Sequence, residues 1–357
     1  MTRPVTGPRR NEDLGGRTVL VTGHSGFIGS WLCVLLRSAG ARVVGYSLSD
    51  DPSTSGRADG LKRLQVSDVR GDVRHLPDFL ASVEECRPDL LIHLAAQPLL
   101  SRGFTEPHLT FDTNVNGSLT VLETLRRGKV TALIHVTSDK CYAPNSCPVL
   151  TEESQIGGEG PYPASKSIAE TLFKEFAPLL PRGHTMASVR LGNVIGGGDY
   201  ADRLVPNALR AFQAGAEFNV RDHAATRPFQ HVLDVTAGLT KLASALLAGR
   251  ISSGMPLNFS PPNTGTTVGD LVARLARSWG PGAVLGDEPE LVDFPEQRLL
   301  QLDGTRAATM LNWRHRLDLD GMADRTVAWA RLVSAGADPM DATSLQVGEF
   351  LGEYKRG

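Results

Sequence analysis

Short apolar runs alternate with helix-period segments through the first half of the chain. "TVLVTG" (Thr18–Gly23) precedes "GFIGSWLCVLLRSAG", in which Phe27, Ile28, Trp31, Leu32, Leu35 and Leu36 recur on one helical face and Gly40 closes the run. "ARVVGYSL", "DLLIHLAA" (Asp89–Ala96), "ALIHVTS" (Ala132–Ser138) and "MASVRLG" (Met186–Gly192) follow as further strands, with amphipathic stretches at Leu119–Leu125 and Ser165–Leu180 between them. Each run is nearly continuous in apolar residues, as strands buried on both faces are, so the pattern predicts a parallel sheet covered by helices on both sides. After Gly196 the pattern loosens. "VIGGGDYADR", "SPPNTGTT" and "GDEPELVDFPEQ" read as loops, while Val232–Leu247 keeps a helical period.

Gly23, Gly26 and Gly29 in "TGHSGFIG" fall where the first strand turns into the first helix. Glycine there allows a tight turn and lets backbone N–H groups approach a pyrophosphate at the helix N-terminus. G-x-x-G-x-x-G departs from the G-x-G-x-x-G fingerprint, and three glycines also serve a plain turn. The preceding strand and following helix point to a dinucleotide. The second strand ends in "VVGYSLSDD", with Ser47 where an acid commonly holds the ribose 2′-OH of NAD, and Asp50 and Asp51 just beyond. No arginine adjoins it to take a 2′-phosphate, which favours NAD over NADP. Asp72 in "GDV" reads either as a contact on the adenine side or as a turn aspartate.

"YPASK" places Tyr162 and Lys166 at i and i+4, one turn apart on a single helix face. A lysine beside a phenol stabilises phenolate and brings the tyrosine towards use as a base. Ser138 at a strand end makes the pair more specific. In "VTSDKCY", Asp139 adjoins Lys140, which is either a surface ion pair or an acid and a base of an active site.

Composition narrows the class. With 37 basic and 39 acidic residues the formal net charge is −2, which leaves no electrostatic footprint for nucleic acid or an anionic membrane. No apolar run approaches the ~20 residues that span a bilayer. The opening "MTRPVTGPRRNEDLGG" is polar, has no hydrophobic stretch behind its arginines, and reads as a disordered leader rather than a secretory signal. Four cysteines without C-x-x-C spacing and nine scattered histidines predict a reduced, cytoplasmic protein without a metal site.

Taken together, "TGHSGFIG", "HLAAQ" (His93–Gln97), Asn114 in "TNVNG", "VTSD", "YPASK" and "RLGNVIGGGD" resemble the extended short-chain dehydrogenase/reductase superfamily over about Gly16 to Val333. Within it, "TSDKCY", "GNVIGGGD", "RLVPNALRAFQAG", "RPFQHVLD" and "LQLDGTRAATMLNW" are most similar to the CDP-glucose 4,6-dehydratase group. The resemblance implies a Rossmann-type α/β fold, a doubly wound parallel sheet with a smaller, irregular C-terminal substrate-binding lobe. It also implies a retained NAD and a nucleotide-sugar substrate. Ser138, Tyr162 and Lys166 become an oxidation triad, and Asp139 and Lys140 the pair that eliminates water. Around NAD it places Gly23, Ser25, Gly26, Phe27, Ile28, Gly29, Ser47, Asp72, Val73, Leu94, Ala95, Ala96, Asn114, Tyr162 and Lys166. Around the substrate it places Gln97, Ser138, Asn193, Arg203, Arg227 and Arg298, the last two against a diphosphate. His231 reads as structural.

Several positions depart from that group. Ile28 stands where it carries lysine, Ser101, Gly103 and Phe104 replace arginine, serine and tyrosine, Gly160 and Ala164 replace aspartate and asparagine, and Pro295 replaces histidine. A poorer sugar wall keeps a rival open: return of the hydride to C4, leaving a 5,6-alkene on a nucleotide sugar or a free nucleoside of antibiotic biosynthesis. A 4-epimerase and a dinucleotide-binding sensor are further alternatives. The expected organisation is a leader at 1–15, a dinucleotide-binding domain at 16–193 to which 232–259 returns, a substrate lobe at 194–231 and 260–340, and a tail at 341–357. By resemblance, helices around Leu109–Arg126 and Ser165–Leu180 pair in a homodimer, although amphipathic faces suit core packing equally.

Overall fold

The computed structural model describes residues 14–48, 57–144, 147–262, 265–286 and 299–354. Arg298, Pro295, Asp50, Asp51 and most of the expected leader lie outside the described residues. Leu14, inside that leader, is buried, and its N–H bonds to the Ala39 carbonyl at 3.1 Å.

The chain begins β1 (Thr18–Thr22), α1 (Phe27–Ser38), β2 (Arg42–Ser47), α2 (Arg57–Arg63), β3 (Ser67–Arg70), α3 (Leu76–Cys86) and β4 (Leu90–His93). Two short helices, α4 (Leu100–Thr105) and α5 (Pro107–Phe111), run through a π-helical turn at Asp112–Asn116 into α6 (Gly117–Arg126). Then come β5 (Ala132–Ser138), a 3₁₀ turn at Asp139–Cys141, α7 (Pro161–Phe176), β6 (Thr185–Leu191), β7 (Val194–Ile195), α8 (Leu204–Ala214), β8 (Glu217–Phe218) and β9 (Gln230–His231). The rest is α9 (Val232–Leu247), β10 (Met255–Phe259), α10 (Val268–Trp279), β11 (Val284–Leu285), α11 (Thr305–Leu311), α12 (Leu319–Ser334) and α13 (Pro339–Tyr354).

Seven strands form one sheet in the order β10-β6-β5-β4-β1-β2-β3, and every pairing is parallel. Strand alternation divides the apolar side chains between two layers. Val19, Val21, Val43, Leu90, Ile92 and Ile134 pack with α1 and α9, while Leu20, Val44, Leu91 and Leu133 pack with Phe79 of α3, Val121 and Leu125 of α6 and Phe173 of α7. This is a Rossmann-type α/β fold. Strand order reverses at β1, between β2 and β4, so the crevice beyond the carboxyl ends of these strands is the expected ligand site.

A second cluster, built from Phe212 of α8, Leu271, Leu275 and Trp279 of α10, and Met322 and Val327 of α12, makes a separate small core beside the sheet. Between those helices the chain returns: α9 packs on α1, and β10 extends the sheet beside β6. No helix among the described residues is long and apolar enough to cross a membrane.

Candidate active site

The carboxyl ends of the central strands open onto one cleft, lined by the glycine turn after β1, Ser47 after β2, Asp72 and Val73 after β3, Leu94–Ala96 after β4, Ser138 of β5, and Tyr162 and Lys166 of α7. Gly192, Val194, Asp199, Tyr200 and Arg203 close the other side.

At the first turn, glycine is required by geometry. Gly23 has φ +70°, and a Cβ there would lie 2.8 Å from the Ala95 nitrogen; at Gly29 it would lie 2.1 Å from the Gly23 carbonyl oxygen. Helix α1 has no side-chain cap and no acid in its first turn, so its N-terminal amides and positive dipole end face the cleft. Those open donors suit a pyrophosphate. At the adenosine end, the Ser47 hydroxyl lies 2.8 Å from His24 Nδ1. The Asp72 carboxylate accepts from the Arg74 amide and guanidinium, both at 2.9 Å, which holds it below the usual carboxylate range. Asp72 is thus tied to its own turn, and the neighbouring Val73 lines the cleft.

At the other end, α7 starts on Gly160, whose φ of +93° suits glycine, with Pro161 at its first position. The first turns of that helix bring Tyr162 and Lys166 into the cleft, both buried, with the lysine Nζ 6.0 Å from the Tyr162 ring centroid. Burial pushes the Tyr162 phenol up rather than down, with the nearby Arg203 guanidinium and the Ser138 side chain opposing. The lysine is itself pushed down, to about 8, by burial, and Glu170 acts against that shift. Burial disfavours the charged form of each, so a phenolate forms here only where a nearby cation, the lysine's own included, offsets that cost.

The 3₁₀ turn after β5 carries Asp139 and Lys140. Ser138 caps that turn: its Oγ accepts from the Lys140 amide at 3.2 Å and donates to Asp139 Oδ1 at 3.1 Å. The second oxygen, Asp139 Oδ2, is buried without a hydrogen-bond partner. Burial pushes the carboxyl up, with Lys140, Ser138 and Arg227 pulling the other way. A raised, sequestered carboxyl is suited to donate a proton.

The substrate candidates divide. Arg203 lines the cleft beside Tyr162, and the buried Arg227 acts on Asp139. The Gln97 carboxamide donates to the Leu99 carbonyl at 3.1 Å and Thr110 Oγ1 at 2.8 Å, and accepts from the Leu99 amide at 2.6 Å, so in this conformation it shapes its own turn. Asn193 contributes its carbonyl to the Gln230 amide at 2.9 Å. Asn114 reaches α7: it accepts from the Gln97 amide at 2.8 Å and donates to Ser165 Oγ at 2.9 Å, tying the β4 turn to the helix of the Tyr-Lys pair. His231 is buried, and its Nδ1 accepts from the Leu233 amide at 3.2 Å as the cap of α9.

No motif singles out Glu170 and Arg190. Glu170, one turn beyond Lys166, holds Arg190 of β6 at 2.6 Å in full burial and accepts from Thr137 at 2.5 Å and from Ser188. Arg190 donates to the Tyr142 hydroxyl at 2.8 Å, and that hydroxyl donates to Asn258 at 2.6 Å. The network fixes both sides of the Asp139–Lys140 turn. An arginine inside the apolar run "MASVRLG" was its one signal in the sequence.

Known proteins sharpen the picture. Residues 19–252 match the model of the NAD dependent epimerase/dehydratase family. The CDP-glucose 4,6-dehydratase of Salmonella typhimurium is 34% identical over 96% of this chain and 98% of its own length. The UDP-glucose 4-epimerase of Rhizobium meliloti is 26% identical over 87% of this chain and 96% of its own. Among solved structures, a UDP-glucose-4-epimerase from Stenotrophomonas maltophila with bound NAD and formylated UDP-arabinopyranose superposes with a TM-score of 0.79 at 23% identity, covering 90% of this chain and 100% of that one. The glycine cradle, the uncapped helix end and the Tyr-Lys pair fit NAD, and the family match covers all of them. The chain belongs to the NAD dependent epimerase/dehydratase family, within the extended short-chain dehydrogenase/reductases.

Proposed function

We propose that the chain is a nucleotide-sugar dehydratase, most like the CDP-glucose 4,6-dehydratases, that produces a 4-keto-6-deoxy sugar. One observation carries this reading: Asp139, buried with a free oxygen and a raised carboxyl, stands between Ser138 and Lys140 on the turn after β5, close enough to act on the Tyr162 phenol. A 4-epimerase has no elimination to perform and no use for that pair.

NAD, held by the glycine turn and the N-terminus of α1, would supply a hydride acceptor for the substrate's C4 and the matching donor later in the same turnover. Tyr162 takes the proton of the 4-hydroxyl while Ser138 holds the same oxygen, and Lys166 keeps the phenolate form within reach. The resulting ketone acidifies the C5 proton. Lys140 removes that proton, and Asp139 protonates the departing 6-hydroxyl, so water leaves across C5 and C6. Arg203 and Arg227 supply positive charge for the substrate's diphosphate.

A second reading has its own support. Gly103 backs directly onto Tyr162, where an added Cβ would lie 3.3 Å from the tyrosine Cβ. Phe104 is 42% exposed, and its ring would lie 3.4 Å from a Cβ at Gly160. None of these residues offers a polar side chain beside Tyr162, which supports a hexose held through fewer polar contacts, on a nucleotide or a nucleoside, and a 5,6-alkene product. Incubation with CDP-glucose and a panel of nucleosides in deuterated water, followed by mass spectrometry, separates the two. Loss of water with solvent deuterium retained at C5 supports the 4-keto-6-deoxy route. Loss of water without it supports the alkene, and no loss of water from any of them contradicts both.

A further inference from the structure

Behind the adenosine end of the cleft, three side chains from three elements meet out of solvent. Asp68 of β3 lies 3.1 Å from His24 Nε2, and His24 Nδ1 lies 2.8 Å from the Ser47 hydroxyl at the end of β2. His24 is wholly buried, and its ring fills the space that a Cβ on Gly45 would occupy. Ser47 lines the cleft where a ribose 2′-OH is expected to meet a carboxylate. Arg70 at this corner is also engaged: its Nε lies 2.9 Å from Asp68 Oδ1, and its NH1 donates to the Leu48 carbonyl at 2.8 Å.

We infer that Asp68 and His24 are positioning residues that lock the Ser47 hydroxyl as a hydrogen-bond acceptor towards the cofactor ribose, and so set preference for NAD over NADP. Asp68 Oδ1 and Nε2 approach without completing a hydrogen bond, and a carboxylate at that distance repels a lone pair and attracts an N–H, so the proton of a neutral imidazole sits on Nε2. Burial pushes His24 down and keeps the ring neutral. Nδ1 then has only a lone pair, and Ser47 must donate its one proton to it. The Ser25 amide approaches one Ser47 lone pair at 3.4 Å. What remains for the ribose is a lone pair, the same character an acid offers at this position. A 2′-OH can donate to it; a 2′-phosphate cannot. Asp68 also keeps Arg70 from turning to a phosphate.

This rests on NAD being the family's cofactor and is independent of the sugar reaction. The test is calorimetric titration of the full chain, freed of nucleotide, with NAD and with NADP in the absence of any sugar. The wild-type protein is expected to bind NAD at least about a hundredfold more tightly. In His24→Phe the hydroxyl is free to turn and donate, and that ratio is expected to fall about tenfold, the value of one well-placed hydrogen bond to a charged group. Ser47→Asp places a carboxylate directly on the ribose. It is expected to preserve the ratio both alone and combined with His24→Phe. The inference is overturned if the wild type binds both nucleotides equally, if His24→Phe leaves the ratio unchanged, or if the double variant loses it as the single one does. Because no sugar is present, these outcomes leave the dehydratase reading standing, and failure of that reading leaves them untouched.

Discussion

Ser138 holds Asp139 by a 3.1 Å hydrogen bond to one carboxylate oxygen and leaves the other buried and unpartnered. An oxygen in that state keeps a proton readily. Asp139→Asn is therefore expected to slow water loss by about 10²–10³-fold, the usual worth of a positioned acid, while exchange of the C5 proton with solvent continues. Deuterium incorporation into recovered substrate, read by mass spectrometry, checks both halves of the statement.

Lys140 sits one residue on, with its amide held by the same serine at 3.2 Å. As the C5 base, its replacement in Lys140→Met stops exchange as well as water loss. Continued exchange in that variant assigns the base elsewhere and leaves the lysine to hold the enolate oxygen.

Glu170 and Arg190 are 6% exposed or less at the side chain and 2.6 Å apart. Arg190→Met strands a buried carboxylate and is expected to cost about 3–5 kcal/mol in urea denaturation. Glu170→Gln combined with it recovers most of that loss. The double variant losing as much again as the single one contradicts a mutual pairing.

These two residues show where sequence patterns stop. Strands β1, β4, β5 and β6 were legible because both faces are buried and their runs are continuous in apolar side chains, and α9 because its period is unbroken. Strand β3, "SDVR", was not: its Asp68 meets His24 and Lys62 from other elements besides Arg70 of its own strand, and no local window holds the first two. Tyr162 and Lys166 were legible as one helical turn. The direction of the phenol's shift was not, because burial depends on the whole cleft. Arg298 and Pro295 fall outside the described residues.

Lys166 makes stability depend on pH. Burial lowers it from 10.5 to about 8, so between those values the unfolded chain binds the proton that the folded chain has released. Stability then rises with pH across that window by about 3 kcal/mol, and the penalty is fully present below it. Urea melts of wild type and Lys166→Met at pH 7.5 to 10.5 are expected to show the wild type gaining on the variant as pH rises. A constant gap places the lysine in water.

In the proposed reaction the Tyr162 phenol takes the first proton. Tyr162→Phe is expected to reduce turnover by about 10²–10⁴-fold. NAD binding, which calorimetry reads separately, is expected to fall far less than turnover does.

The most direct measurement follows one deuterium. CDP-glucose carrying deuterium at C4 is converted by the purified protein, and the product is read by NMR. Transfer within the turnover delivers the label to C6 of a dehydrated 4-ketosugar. Label remaining at C4, with or without loss of water, contradicts the 4,6-dehydratase assignment.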